Sequence, residues 1–366
     1  MKNFPIGYRH FHDDESYNFE LNRWLPALPE PEVVELAKRI TCRDDWTRET
    51  SRCARAAEER GEAEAAAFYW RAVEFFLPPG DPAKASAYTS FREQFEIAIA
   101  GQSHRRYEVP FDSGHLPAIE LCPQGEPRDT VVLHGGFDSF QEELWDWGRY
   151  LSEAGYRVVI FEGPGQGAAL RHHGLTMAAD WERPVAAILD HFAIETCSIL
   201  GISLGGYLAP RAAAFEPRIE RVIACDVLDD FFDCFAQRAG RRTARTLSFL
   251  VRRGQRAILN RLMDLTTARD AATAWAFAHG MQVSGASDPF EFLCWLKELS
   301  TVDFSHRITQ DFLLLAGTRD HIVPLHQFYR QARNLPNVRS FTGRVFSEAE
   351  QAHNHCQIGN VGLALA

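Results

Sequence analysis

The chain has 366 residues, of which 46% are hydrophobic and 24% charged, and its formal net charge is −10. That length can bury a large core and exceeds one average domain. The acidic balance, broken by one basic stretch at 238–256, excludes nucleic acid and anionic membranes as main partners.

Eight cysteines occur without a CxxC pair, which argues against a structural metal site and for reduced, buried thiols. The first fourteen residues are polar and do not read as a signal peptide, and no apolar run is long enough to span a bilayer. A cytoplasmic location is expected.

In chain order, residues 1–104 read as helical. The stretches 31–40, 44–78 and 83–99 carry apolar residues at helical spacing, and Pro79-Gly80-Asp81-Pro82 separates the last two. Tyr107-Glu-Val-Pro and Pro117-Ala-Ile-Glu-Leu then read as paired strands joined at Asp112-Ser-Gly. A βα alternation follows: strand 130–134, helix 140–154, strand 157–162, helix 177–192, strand 197–201, helix 204–214 and strand 221–227. Short Val/Ile/Leu strands between helices predict an α/β fold with a mostly parallel sheet covered on both faces. Between 229 and 305 the alternation stops. That segment is helix-like and aromatic (Phe231, Phe232, Phe235, Phe249, Trp275, Phe277, Phe290, Phe292, Trp295) and reads as an insertion. The sheet pattern resumes with strand 311–317, helix 325–334, a strand near 341–346 and a short final helix. The division expected is a helical region 1–104 and a catalytic domain 105–366 carrying the 229–305 insertion.

The sharpest motif is Gly201-Ile-Ser203-Leu-Gly205, with a strand before it and a helix after it. A turn this tight holds the serine in a strained conformation and leaves no room for side chains two residues to either side. It presents the serine hydroxyl beside a helix N-terminus suited to a developing oxyanion. Ser203 is therefore the expected nucleophile. On such a scaffold the acid and then the histidine follow in sequence. Asp320, in the loop after the apolar strand 311–317, is the expected acid, with Asp226 and Asp303 as fallbacks. His353 and His355 are both placed to be the base. The expected oxyanion donors are the N–H of Leu204 and that of Gly136 or Phe137, in the glycine-bearing loop after the first parallel strand. His134 reads as a core histidine, and His321 and His326 read as structural. Gly163-Pro-Gly-Gln-Gly167 lacks the spacing of a phosphate or dinucleotide loop and reads as a turn at the rim of the same pocket.

Taken together, Gly135-Gly-Phe-Asp-Ser, Glu142-Glu143, Glu162-Gly-Pro-Gly-Gln-Gly, Gly201-Ile-Ser-Leu-Gly-Gly and His355-Cys-Gln-Ile-Gly-Asn resemble the FrsA-like α/β hydrolases. Within them the resemblance is to the branch of 2,6-dihydroxypseudooxynicotine hydrolase and the fungal polyketide-shortening hydrolases. It spans residue 130 to the C-terminus.

The resemblance implies an α/β-hydrolase fold with a Ser-Asp-His triad, a helical N-terminal lid, and His355 rather than His353 as base. It also implies cleavage of a carbon–carbon bond beside a carbonyl, since several members do this while others are esterases. The expected substrate is an aromatic or polyketide-like small molecule. A carboxylesterase or lactonase, or an acyltransferase or cyclase with the same triad, is the alternative. No cofactor or metal is called for, and a homodimer is left open. A carbanion leaving group needs a proton. Asp138, Glu142 and Glu143, at the start of the helix after the oxyanion loop, are the candidate substrate-contacting groups. A carboxyl there, buried beside the lid, would have a raised pKa and could donate that proton; the competing reading is that they complement the helix N-terminus.

Overall fold

The computed structural model describes residues 4–238 and 240–366; Met1–Asn3 and Ala239 lie outside the described residues. Eight strands form one sheet: β1 (Arg105–Phe111), β2 (Gly114–Leu121), β3 (Thr130–His134), β4 (Arg157–Phe161), β5 (Cys197–Ile202), β6 (Ile219–Cys225), β7 (Asp311–Gly317) and β8 (Ser340–Phe346). Their spatial order is β1-β2-β4-β3-β5-β6-β7-β8. The β1–β2 and β2–β4 pairs are antiparallel and all the others are parallel. The β1–β2 hairpin closes at Asp112, whose φ of 46° is one that aspartate tolerates.

Alternation along each strand divides the core. Val132, Val159, Ile199 and Val222 pack into the cluster on one face. Val131, Leu133, Val158, Ile160 and Leu200 pack into the cluster on the other. Both faces are covered, which is why these strands read as continuous apolar runs.

Five helices precede the sheet: Glu15–Arg23, Glu30–Ala37, Arg43–Glu59, Ala63–Phe76 and Pro82–Ala98. They differ from expectation in two ways. The expected run 44–78 is broken after Glu59, with Gly61 at φ 71°. A helix also forms at 15–23, ahead of the first named stretch, because the Asp14 carboxylate caps the amides of Ser16 and Tyr17 at 2.9 and 3.2 Å. These helices bury an aromatic cluster of their own around Trp24, Trp46, Tyr69 and Phe75.

The expected helix 177–192 begins only at Glu182, and a short helix, Gly167–His173, was not anticipated. Five further helices fill the segment between β6 and β7: Phe231–Arg238, Arg241–Arg252, Arg256–Thr267, Ala271–Ser284 and Pro289–Glu298. No helix among the described residues is long and apolar enough to cross a membrane.

Candidate active site

The loops that leave the C-terminal ends of β3, β5, β6, β7 and β8 converge at one edge of the sheet, where open α/β sheets place their ligands. Ser203 follows β5 with φ 62°, the left-handed conformation expected of a strained turn. A Cβ on Gly201 would lie 2.0 Å from the Gly205 carbonyl oxygen, and one on Gly205 would lie 3.0 Å from that of Gly135. Glycine at 201 is thus a steric requirement, and at 205 a larger residue would meet a tight contact.

His355 Nε2 lies 2.8 Å from Ser203 Oγ, and its Nδ1 lies 2.7 Å from Asp320 Oδ2. The other Asp320 oxygen accepts the amides of Ile322 and Val323 at 2.7 and 2.8 Å, which aims the carboxylate. Asp226, at the end of β6, also reaches His355 Nδ1, at 3.1 Å. It further accepts the Cys356 amide and the Gln357 side-chain amide. Cys356 and Gln357 sit at φ 52° and 51°, so the Asp226 carboxylate clasps the strained turn that presents His355. That is the physical content of the His-Cys-Gln signature. Asp303, the other fallback acid, is exposed.

Burial pushes the Asp320 carboxyl up to about 6; the Asp226 charge adds to this and His355 offsets it. Burial alone would push the His355 imidazole down, but the Asp320 and Asp226 carboxylates outweigh it and hold its pKa well above the usual histidine range. Burial also acts against the Asp226 carboxylate, yet its bonds to His355 and to the Cys356 amide leave it below the ordinary range.

His353 contributes through its backbone. Its carbonyl accepts the Arg319 amide at 2.8 Å and ties the histidine loop to the acid loop. His321 lines the cavity, its ring 4.8 Å from that of Phe19. His326 pairs with Asp233 at 2.7 Å. His134 is fully buried and bonded to the Gly135 carbonyl, and burial lowers its pKa to about 4.

The Gly136 amide is taken by Ser139 Oγ at 3.1 Å, which removes it from the candidate oxyanion donors. Among the described residues no acceptor meets the amide of Leu204 or of Phe137, and both residues line the cavity. The Gly163–Gly167 turn supports this loop. Gln166 Nε2 donates to the Gly135 and Gly136 carbonyls at 3.0 and 2.9 Å, a role that no local sequence signal marks.

Ser203 and His355 open into a cavity of about 680 Å3. One wall is aromatic and draws Phe231, Phe232, Phe235, Trp275 and Phe277 from the inserted helices. Phe292 packs in the core and Phe249 faces outward, so the aromatic richness of the insertion serves the cavity only in part.

The other wall is charged. Arg23 pairs with Asp138 at 3.1 Å and with Glu143 at 2.9 Å, and Arg71 pairs with Glu143 at 2.8 Å. Two expectations fail here. Glu142 turns away from the cavity to pair with Arg92 and Arg106, at 3.2 and 3.3 Å. Glu143 and Asp138 line the cavity but do not have raised pKa values. Burial pushes both up, and Arg23 and Arg71 outweigh it and hold them below the ordinary carboxylate range.

Residues 131–354 match the family described as alpha/beta hydrolase fold. The chain belongs to that family. It is 32% identical over 327 residues to the 20-hydroxy-prefusarin hydrolase FUS2 of Gibberella moniliformis, covering 78% of this chain and 77% of that one. Among solved structures it is similar to the 2,6-dihydroxy-pseudo-oxynicotine hydrolase, with a TM-score of 0.66 and 20% identity over 93% of this chain and 91% of that one. It is also similar to AbyA5, with a TM-score of 0.70 and 19% identity over 95% and 92%. The two structures share the fold. This α/β hydrolase is an enzyme, and its likeness to the fungal hydrolase FUS2 and the fold it shares with the 2,6-dihydroxy-pseudo-oxynicotine hydrolase agree with the resemblance read from its motifs.

Proposed function

We propose that this chain is a serine hydrolase that cleaves a carbon–carbon bond beside a carbonyl in a polyketide-like or acyl-aromatic small molecule. The observation that carries the reading is His355 bridging Ser203 Oγ and Asp320 at the floor of an aromatic-walled cavity. His355 takes the Ser203 proton as the serine attacks the carbonyl carbon, and Asp320 orients and stabilises the imidazolium. The amides of Leu204 and Phe137 receive the oxyanion. The acyl-enzyme is then hydrolysed by water.

A plain ester site does not need a cavity of this size with a charged wall set against an aromatic one. That arrangement suits a ring-bearing substrate with polar substituents. The relative named for 20-hydroxy-prefusarin and the neighbour named for a dihydroxy-pseudo-oxynicotine support the same substrate class. The N-terminal helices and the inserted helices act together as the lid, since residues of both, Arg23 and Trp24 with Phe231 and Trp275, line the cavity. Eight free cysteines fit a reducing, cytoplasmic setting.

The test is product analysis by mass spectrometry on a panel of acyl-aromatic ketones, esters and lactones. The reading expects carboxylic acid and ketone fragments from the diketones. Turnover confined to esters and lactones would replace it with an esterase.

A further inference from the structure

Expulsion of a carbon leaving group calls for a proton donor near the departing carbon, and neither Glu142 nor Glu143 offers one. A different carboxyl lines the cavity: Glu20, on the helix Glu15–Arg23. It is 5% exposed. The preceding residue, Phe19, lays its ring 5.8 Å from the His355 ring, so this helix turn packs against the base.

The charge arrangement sets Glu20 apart from its neighbours. One guanidinium, Arg23, serves three carboxylates: Glu143 at 2.9 Å, Asp138 at 3.1 Å and Glu20 at 3.4 Å. The second cation, Arg71, is divided between Glu143 and Glu74. Glu74 also has Lys84 and Arg171, so around Glu20, Asp138 and Glu143 two guanidinia face three carboxylates, and the carboxyl with the longest contact is the one that keeps its proton. Burial pushes Glu20 up to about 8; Arg23 and Arg71 act against the shift, and Asp138 and Glu143 reinforce it. From the N-terminal segment Tyr8 also faces it, as a neutral phenol whose pKa burial raises to about 12.

We propose that Glu20 is the general acid that protonates the departing carbon. This rests on the carbon–carbon reading of the same site. Ser203 Oγ bonds to the carbonyl carbon, and its proton passes to His355 Nε2. The carbon–carbon bond breaks, and its electron pair leaves with the fragment as an enolate. The Glu20 carboxyl gives its proton to that carbon and becomes a carboxylate. One proton then passes from the imidazolium to Glu20 through water. Neutral His355 next takes the proton of the attacking water and returns it to Ser203 as the acyl group leaves. The sum is one water consumed, one acid and one ketone formed, with every enzyme group restored.

Two measurements test this on the full chain. In the first, benzoylacetone cleavage and para-nitrophenyl acetate hydrolysis are compared in wild type and Glu20→Gln. The ketone-to-ester rate ratio is expected to fall by about a hundredfold, the scale of a positioned general acid; an unchanged ratio overturns the proposal. The second runs the proton transfer in reverse. Deuterium entry into the methyl group of acetophenone in heavy water is followed by proton NMR, with the Ser203→Ala variant as reference because exchange needs no nucleophile. Exchange by Ser203→Ala that is lost in Ser203→Ala/Glu20→Gln supports the proposal, and absent or unchanged exchange overturns it. Glu20-dependent exchange without cleavage of any diketone retains Glu20 as the acid and removes the carbon–carbon reading instead.

Discussion

The cavity has two kinds of wall, and they are built by different physics. The sheet-side wall is held by backbone sterics. Gly201 and Gly205 admit the Ser203 turn, its positive φ presents the hydroxyl, and Asp226 clasps the turn that carries His355. The helix-side wall is held by buried charge, with Arg23 and Arg71 placed among Glu20, Asp138, Glu143 and Glu74. The serine turn of the first wall is built by residues close in sequence and leaves a short motif. The second also depends on pairs far apart in sequence, such as Arg71 with Glu143 and Trp24 Nε1 donating to Glu143 at 3.0 Å, and leaves none.

The sharpest way to break the sheet-side wall is at Ser203, its proposed nucleophile. Ser203→Ala is expected to lower kcat by about 10^4 or more while the fold persists. A fluorophosphonate adduct located by peptide mass spectrometry at any serine other than Ser203 would overturn that assignment. His355→Ala is expected to lose activity on the same scale, whereas His353→Ala keeps most of it, because the His353 contribution is its carbonyl.

Next in size is the acid. Two carboxylates reach His355 Nδ1. Asp320→Asn is therefore expected to cost less than the ~10^4 seen when a triad has a single acid. The pH profile sharpens the point. A carboxylate beside His355 stabilises the imidazolium, so Asp226→Asn should let the imidazole deprotonate at lower pH. The acid limb of kcat/KM for an activated ester then moves to lower pH; a limb that stays in place would show that Asp226 carries no charge in the working state.

The helix-side wall is probed by stability. Arg71 is 1% exposed, and Arg71→Met removes one cation from Glu143, which keeps Arg23, and from Glu74, which keeps Lys84 and Arg171, in a fully buried wall. The expected loss is about 3–5 kcal/mol, read from denaturant unfolding. By contrast Gly201→Ala, which drives a Cβ into the Gly205 carbonyl, is expected to cost about 1–3 kcal/mol. The smallest effect belongs to Phe249, which is half exposed on the helix Arg241–Arg252; Phe249→Ser should shift stability by no more than about 0.5 kcal/mol.

By itself the amino-acid sequence determined the parallel sheet, because strands buried on both faces must be written as Val/Ile/Leu runs. It also determined the Ser203 turn, because the crowded backbone excludes a side chain at 201 and leaves little room for one at 205. It offered Asp320, Asp226 and both histidines, since residues at strand ends point to one edge. Tertiary structure alone decided how those candidates combine. It brought Asp226 and Asp320 to the same nitrogen and left Asp303 outside. It turned Glu142 under Arg92 and Arg106, and it gave the Gly136 amide to Ser139. It also set the helix 15–23 against the His355 turn. Burial pushes the carboxyls of Glu20, Asp138 and Glu143 up, and the cations that the fold brings to each decide which stay below the ordinary range. Three chemically similar carboxyls therefore differ in the partners each reaches: Glu143 has Arg23, Arg71 and Trp24, Asp138 has Arg23, and Glu20 has only the longest contact to Arg23.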